Sequence, residues 1–433
     1  MILYNFKKRP HKGLFLILLC FVSTLYSQTF KPRVTSVKFI GNNKTLDYII
    51  EREIRHPIYV TLDSVLANSD MNRLENLGLF SQVEWKAIPL ENKCAELTFF
   101  LTESIQKTPP IVLPTFEEDT GWSIAGLWVL NNYRGKNQSL VLGGTIGGKD
   151  TYGLQFSDPW IFGNHVSMNL ELGSSLFKHT FLDKDIEVNS FNMSFGKWFG
   201  QSIKANFSFE LEEKIFLNKK SKRSFFYFAP SIMVKYDSRD IYWNPGKGLL
   251  ISQYLRKAIG IAPENFWLNQ WNQSYSFFYR INTFDKKLVM GLNTSLNSKW
   301  GKKEELWLNY LGGTSTIRGW ELPDSSLFYS QSQNFRFGHQ SIYASMEVRY
   351  EIIPKYATSL GIETGLILVF FNDIGATAVN WTNIQELEPM HGTGIGIRVP
   401  FPIINVLRLD YGWGYRYGEW NSGAFHFGIG QKF

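Results

Sequence analysis

Cysteine is nearly absent: the 433-residue chain has two, Cys20 and Cys94. A small extracellular fold braced by disulfides is thereby excluded. Long apolar runs are missing as well. Leu14 to Val22 is the one stretch that resembles a membrane span, and it falls far short of the ~20 residues a helix needs to cross a bilayer. With a mean hydropathy of −0.16, the chain is too polar for a bundle of membrane helices. The seven histidines are scattered and form neither His-Glu-x-x-His nor a pair at helical ligand spacing. Gly121-Trp-Ser-Ile-Ala125 only approximates a nucleophile elbow, and Gly392, Gly394 and Gly396 have no following helix to build a phosphate cradle. No catalytic residue, metal or cofactor is expected, and the chain is not read as an enzyme.

What the chain has in abundance is aromatic residues: 14 Trp, 20 Tyr and 35 Phe. So much apolar surface rules out disorder. At the N-terminus, Lys7, Lys8, Arg9 and Lys12 precede the apolar run, and Ser27 follows it. That order predicts a secretory signal peptide over residues 1–27. A lipoprotein reading of Cys20 fails because Leu19 is too large for the position before a lipidated cysteine. Removing the leader subtracts four basic residues and no acidic one, so the formal charge falls from +7 to +3. A clustered basic face for nucleic acid is not expected.

Residues 32–104 read as a small α+β domain. Val34 to Ile40 forms a strand that runs into Gly41-Asn42-Asn43. Leu46, Ile49, Ile50 and Ile54 fall at helical spacing, and a second helix from Val65 to Leu77 stops at Gly78. Two alternating strands follow, around Val83 to Ala87 and Leu97 to Leu101, and residues 105–110 form a linker. From Ile111 to Phe433 the period is 2. Ile342, Ala344, Met346 and Val348 alternate with Tyr343, Ser345, Glu347 and Arg349, one face apolar and the other charged. The leader and the aromatic load favour the arrangement in which the apolar face points outward. The expected fold is mainly β: a transmembrane antiparallel β-barrel of about sixteen strands behind one small α+β domain.

These residues resemble a known family. Phe39-Ile-Gly-Asn-Asn-Lys-Thr45 and Arg73-Leu-Glu-Asn-Leu-Gly-Leu-Phe80 look like parts of a POTRA domain. The barrel resembles that of the BamA/TamA superfamily of outer-membrane assembly and two-partner-secretion proteins. Its landmarks occur in order: Asn132-Tyr-Arg-Gly135, Phe156-Ser-Asp-Pro-Trp160, Asp237-Ser-Arg-Asp240 with Asn244-Pro-Gly-Lys-Gly248, Ile317-Arg-Gly-Trp320, Phe371-Asn-Asp-Ile-Gly375, and Gly394-Ile-Gly-Ile-Arg398 leading to Leu407-Arg-Leu-Asp-Tyr411. The resemblance implies the outer membrane of a Gram-negative bacterium, with the POTRA-like domain in the periplasm. A single such domain departs from BamA and TamA, which carry several.

In the family, the segment matching Ile317, Arg318, Gly319 and Trp320 lies on an extracellular loop folded back into the lumen. A guanidinium there needs a carboxylate. The resemblance nominates Asp373; alternation adds Asp410, since Leu407, Leu409 and Tyr411 would face lipid. The expected mechanism rests on a lateral seam between the first strand, Ile111 to Glu117, and the last, Ala424 to Phe433. Pro114 weakens the first strand because it cannot donate a ladder bond. Gly428 and Gly430 would let the last strand bend, and Phe433 stands at the family's C-terminal signal position. The expected function is assisted insertion and folding of outer-membrane β-barrel clients through that seam. The alternative is a two-partner-secretion pore that exports a protein through the lumen. The implied partners are unfolded outer-membrane proteins, outer-membrane lipid, and periplasmic or lipoprotein accessory subunits.

Overall fold

The computed structural model describes residues 31–105, 110–163, 166–200, 202–218, 221–281, 287–357, 363–382, 388–401 and 405–433. The expected leader at 1–27 and most of the linker at 105–110 lie outside these residues.

The N-terminal unit contains β1 (Arg33–Ile40), α1 (Asp47–Glu51), β2 (Val60–Thr61), α2 (Ser64–Asn76), β3 (Phe80–Pro89) and β4 (Cys94–Glu103). Its sheet order is β2-β1-β4-β3, with β1 and β4 parallel and β3 at an edge. The alternation seen in sequence is what folds it: Val34, Leu97 and Phe99 on the sheet pack against Ile49 and Ile50 of α1 and Ala67 and Leu74 of α2. Asp63 caps α2 by accepting from the backbone N–H groups of Val65 and Leu66. The first helix is shorter than its apolar spacing predicts, ending at Glu51.

Sixteen strands of six residues or more make one antiparallel sheet. They are β5 (Ile111–Glu117), β6 (Gly121–Tyr133), β7 (Gln138–Gly147), β8 (Lys149–Asp158), β9 (Val166–Lys178), β10 (Asp185–Phe199), β11 (Ile203–Asn218), β12 (Ser221–Asp237), β13 (Gly248–Ala262), β14 (Trp267–Ile281) and β15 (Leu288–Gly301), then, beyond the two-residue strands β16 (Asn309–Tyr310) and β17 (Phe337–Gly338), β18 (Gln340–Ala357), β19 (Glu363–Ala378), β20 (Met390–Phe401), β21 (Asn405–Arg416) and, after the two-residue β22 (Glu419–Trp420), β23 (Ala424–Ile429). The strand order is circular, with β23 beside β5.

Period 2 sets the two faces. Along β19, Leu368, Phe370 and Ile374 are exposed outside, while Val369, Phe371 and Asp373 are buried inside. The same apolar exterior continues through Ile232, Leu255, Trp271, Phe277, Ile395, Trp413 and Phe425. A belt this extensive exceeds what a soluble surface exposes. Among the described residues, no helix is long and apolar enough to cross a membrane.

Three of the sequence landmarks are the turns on which the N-terminal unit sits. Asn132 Nδ2 donates to Thr45 Oγ1 at 2.8 Å, and the Leu46 N–H donates to the Gly135 carbonyl at 3.1 Å. The Arg52 guanidinium lies 4.2 Å over the Trp160 ring, and Asn76 exchanges hydrogen bonds with the backbone of Asp240 and Tyr242. The unit therefore bridges turns that belong to β6, β8 and β12, on one side of the ring.

The last strand differs from expectation. It ends at Ile429, and Gly430 at φ +82° turns the chain out of the ladder. That conformation is open to glycine at little steric cost. Residues 431–433 run into the lumen rather than along the seam. Phe433, expected at the seam, stacks on Phe278 of β14 with ring centroids 5.9 Å apart, and the Arg349 guanidinium lies 5.0 Å over its ring. Aromatic and cationic partners inside the barrel thus hold a side chain that would otherwise end a lipid-facing strand.

Candidate functional site

The long segment between β15 and β18 folds back inside the barrel. It carries β16, β17 and the short helix α3 (Ser325–Tyr329). Ile317 packs with Leu311 and Met390, and the Trp320 Nε1–H donates to the His391 carbonyl at 2.7 Å. Gly319, at φ +88°, presses against the backbone of Trp413, where a Cβ would collide.

Between these anchors Arg318 is fully buried. Its Nε and Nη2 form a fork on Asp373, at 2.8 and 2.9 Å, and its own backbone N–H donates to the same carboxylate at 3.0 Å. Nη1 donates to Glu347 at 2.6 Å and to Asp410 at 3.3 Å. The guanidinium carbon stands 3.8 Å over the Phe371 ring. The structure therefore brings both nominated carboxylates to Arg318, with Asp373 the main partner.

It adds residues that sequence reasoning did not assign to the site. Glu347 also accepts from Arg349 Nε at 2.8 Å and Arg398 Nη2 at 3.1 Å, and Arg398 Nη1 donates to Asp410 at 2.6 Å. Lys432 Nζ donates to Asp373 at 2.8 Å and also to the Thr316 carbonyl. Alternation places Glu347 and Arg349 on the charged face of β18, and Arg398 ends the Gly394-Ile-Gly-Ile-Arg398 motif, but neither signal says which pairs meet. Lys432 is not singled out, although it shares the parity of the inward His426 and Gly428.

In this cluster the cations Arg318, Arg349, Arg398, Arg408 and Lys432 face the three carboxylates Glu347, Asp373 and Asp410. The surplus positive charge leans on other partners. Arg408 donates to Thr314 Oγ1 at 2.7 Å, and Arg349 lies near the rings of Phe278 and Phe433. Such a network is an anchor: it holds one loop on four strands, β18 to β21, by charge-assisted bonds sheltered from water.

The glycines of β20 make room for it. A Cβ on Gly392 would overlap the Arg318 carbonyl oxygen, and one on Gly396 would overlap the Asp410 carboxylate. Gly392→Ala is accordingly expected to push the loop off the wall and to destabilise the folded barrel by about 1–3 kcal/mol. A urea titration that follows the fast-migrating folded band on unheated gels reads this; an unchanged midpoint would mean that the loop has other room.

The remaining expected positions lie around the seam. Pro114 sits in β5 opposite Ile124 of β6, on the exposed side. Gly428 is in register with Arg408 of β21, and a Cβ there would crowd the guanidinium. Gly428 thus accommodates the charge of its neighbour, while Gly430 makes the bend.

A family model described as the Omp85 superfamily domain matches residues 132–433. The outer membrane protein assembly factor BamA of Neisseria meningitidis serogroup B is 26% identical over 149 residues, which is 34% of this chain and 19% of that protein. The match thus spans about a fifth of the relative's length. Among solved structures, BamA from Haemophilus ducreyi lacking POTRA domains 1–3 superposes with a TM-score of 0.57 at 15% identity, covering 91% of this chain and 84% of that one. CdiB from Escherichia coli gives a TM-score of 0.57 at 12% identity, covering 92% and 75%. At these identities the likeness is one of fold.

Proposed function

The chain belongs to the Omp85 superfamily, and from that premise we propose that it is an outer-membrane assembly factor, assisting insertion and folding of β-barrel clients through the seam between β5 and β23. The observation that carries the reading is the length of those two strands. β5 has seven residues and β23 has six, the shortest of the sixteen, against eighteen in β18. Ladder bonds scale with strand length, so this is the junction with least to break.

The apolar belt sits in lipid in this reading, where an unpaired backbone N–H or C=O is worth several kcal/mol to satisfy. An opened β5 or β23 therefore offers a strong template for a client strand, and pairing with that edge is β-augmentation. The N-terminal unit acts as a periplasmic POTRA-type domain over 32–104 behind a cleaved leader at 1–27. Its edge strand β3 holds unfolded outer-membrane proteins by the same pairing, with periplasmic or lipoprotein accessory subunits as further partners. The buried Arg318 cluster braces the loop, and no covalent chemistry is involved.

One observation favours the export reading, in which a client crosses axially. Two cavities of about 250 and 260 Å³ share Asn272, Asn297, Ser315 and Tyr343 along the inner wall of β14, β15 and β18. They outline a lane of mostly uncharged polar side chains beside the loop. Reconstitution in liposomes separates the two readings. An assembly factor speeds the insertion of an unfolded barrel client added outside; no acceleration, together with passage of a secreted polypeptide into the vesicle, would replace assembly with export.

A further inference from the structure

The loop that carries Arg318 also touches both sides of the seam. Glu118, in the turn after β5, accepts the Thr314 backbone N–H on Oε2 at 2.6 Å. Its Oε1 lies 2.7 Å from Nδ1 of His426, in β23. The other ring nitrogen of His426, Nε2, accepts the Gly319 backbone N–H at 2.8 Å. These contacts fix the tautomer: Nε2 accepts, so Nδ1 carries the proton and donates to Glu118. His426 is fully buried and Glu118 partly so. On the outer side of the same junction, the Phe116 and Phe427 rings meet edge to face, with centroids 6.3 Å apart.

A first strand, a loop and a last strand are thus joined in one hydrogen-bonded circuit on the lumen side. Glu118 is 308 residues from His426, and each also grips the loop, one at Thr314 and one at Gly319. We propose that Glu118 and His426 are positioning residues that make the buried loop a staple across the seam, so that β5 and β23 part only when the loop lets go. The short strands then need not hold the seam by their ladder. The Arg318 cluster, by anchoring the loop on β18 to β21, the strands that lead up to β23, keeps the staple in place. Conversely, a client strand entering the seam must displace Glu118 from His426 and thereby loosen the loop. This deepens the lateral reading above and rests on it for its functional consequence, though not for its geometry.

The test reads seam geometry with no client present. Nitroxide labels at F116C and F427C in a Cys94→Ser background, in the full chain in nanodiscs, report the distance across the seam. A second pair at F191C and L211C, in register between β10 and β11, reports the barrel elsewhere. Glu118→Ala and His426→Ala should each raise the share of separated labels at least about tenfold, since each removes the charge-assisted Glu118–His426 bond as well as one grip on the loop. His426→Gln, whose amide offers one acceptor and one donor, should restore the parent distribution. Should the alanine variants fail to assemble, Glu118→Gln, which keeps the size and gives up the charge, carries the same comparison.

Labels that stay together in the variants overturn the staple. So does equal loosening of the control pair, which would mean general destabilisation, or a glutamine at 426 that opens the seam as far as alanine does. A seam that opens in the variants while the parent fails to accelerate client insertion would keep the staple and remove the lateral function instead.

Discussion

Asp373→Ala is expected to destabilise the folded barrel by about 3–5 kcal/mol, the cost of leaving buried charge without its partner, and by more than Arg318→Ala does. The asymmetry follows from who is left stranded. Asp373 accepts from three nitrogens of Arg318 and from Lys432. Without it those donors lose their acceptor inside a cluster already richer in cations than in carboxylates. Removing Arg318 instead leaves every carboxylate a cation: Lys432 on Asp373, Arg349 and Arg398 on Glu347, and Arg398 on Asp410. Its expected cost is therefore smaller, about 1–3 kcal/mol. Lys432→Met placed on Asp373→Ala should recover part of the loss by deleting one unpaired charge. Urea midpoints of the folded band for the two single variants and the double variant supply all three numbers. An Arg318→Ala that costs as much as Asp373→Ala would show that packing of the guanidinium on Phe371 outweighs its ion pairs.

The second large effect concerns catalysis of insertion. In a Cys94→Ser background, Phe116→Cys with Phe427→Cys should form a disulfide across the seam, since the two rings now meet there and neighbouring strands bring Cα atoms within the span a disulfide bridges. Oxidised, the protein should insert a barrel client into liposomes no faster than liposomes alone; reduced with dithiothreitol, it should regain its rate. The reversibility matters because reduction changes neither the fold nor the two substitutions. Insertion at full rate with the seam locked would remove the lateral route and leave the lumen as the path. The polar lane beside Asn272 and Tyr343 would then be the place to test next.

Much of this fold was legible in sequence. The switch from helical spacing to period 2 near Ile111 separates the two units, because side-chain direction in a strand is set locally, residue by residue. That same rule puts Glu347, Arg349, Arg408 and Asp410 on the polar faces of their strands without any knowledge of the neighbours, whereas Asp373 comes from the resemblance alone, because the run from Ile367 to Phe371 is apolar on both faces. The three motifs at Asn132, Trp160 and Asp237 to Gly248 stand out in the sequence without a local reason. Their role depends on where Thr45, Arg52 and Asn76 come to rest, which no local pattern encodes.

The seam shows the boundary most clearly. Pro114 and the glycines of the last strand are written in the sequence, and they mark the first and last strands as weak members of the ring. The inward turn at Gly430, the capture of Lys432 by Asp373 and of Phe433 by Phe278, and the circuit from Glu118 through His426 to Gly319 are not. Sequence by itself determined which side of each strand is apolar and which residues a polar interior would have to accommodate. Only the tertiary structure decided which buried charges meet, because burial penalises an unpaired charge wherever it sits, and the partner that relieves it is chosen by ring closure and loop geometry rather than by distance along the chain.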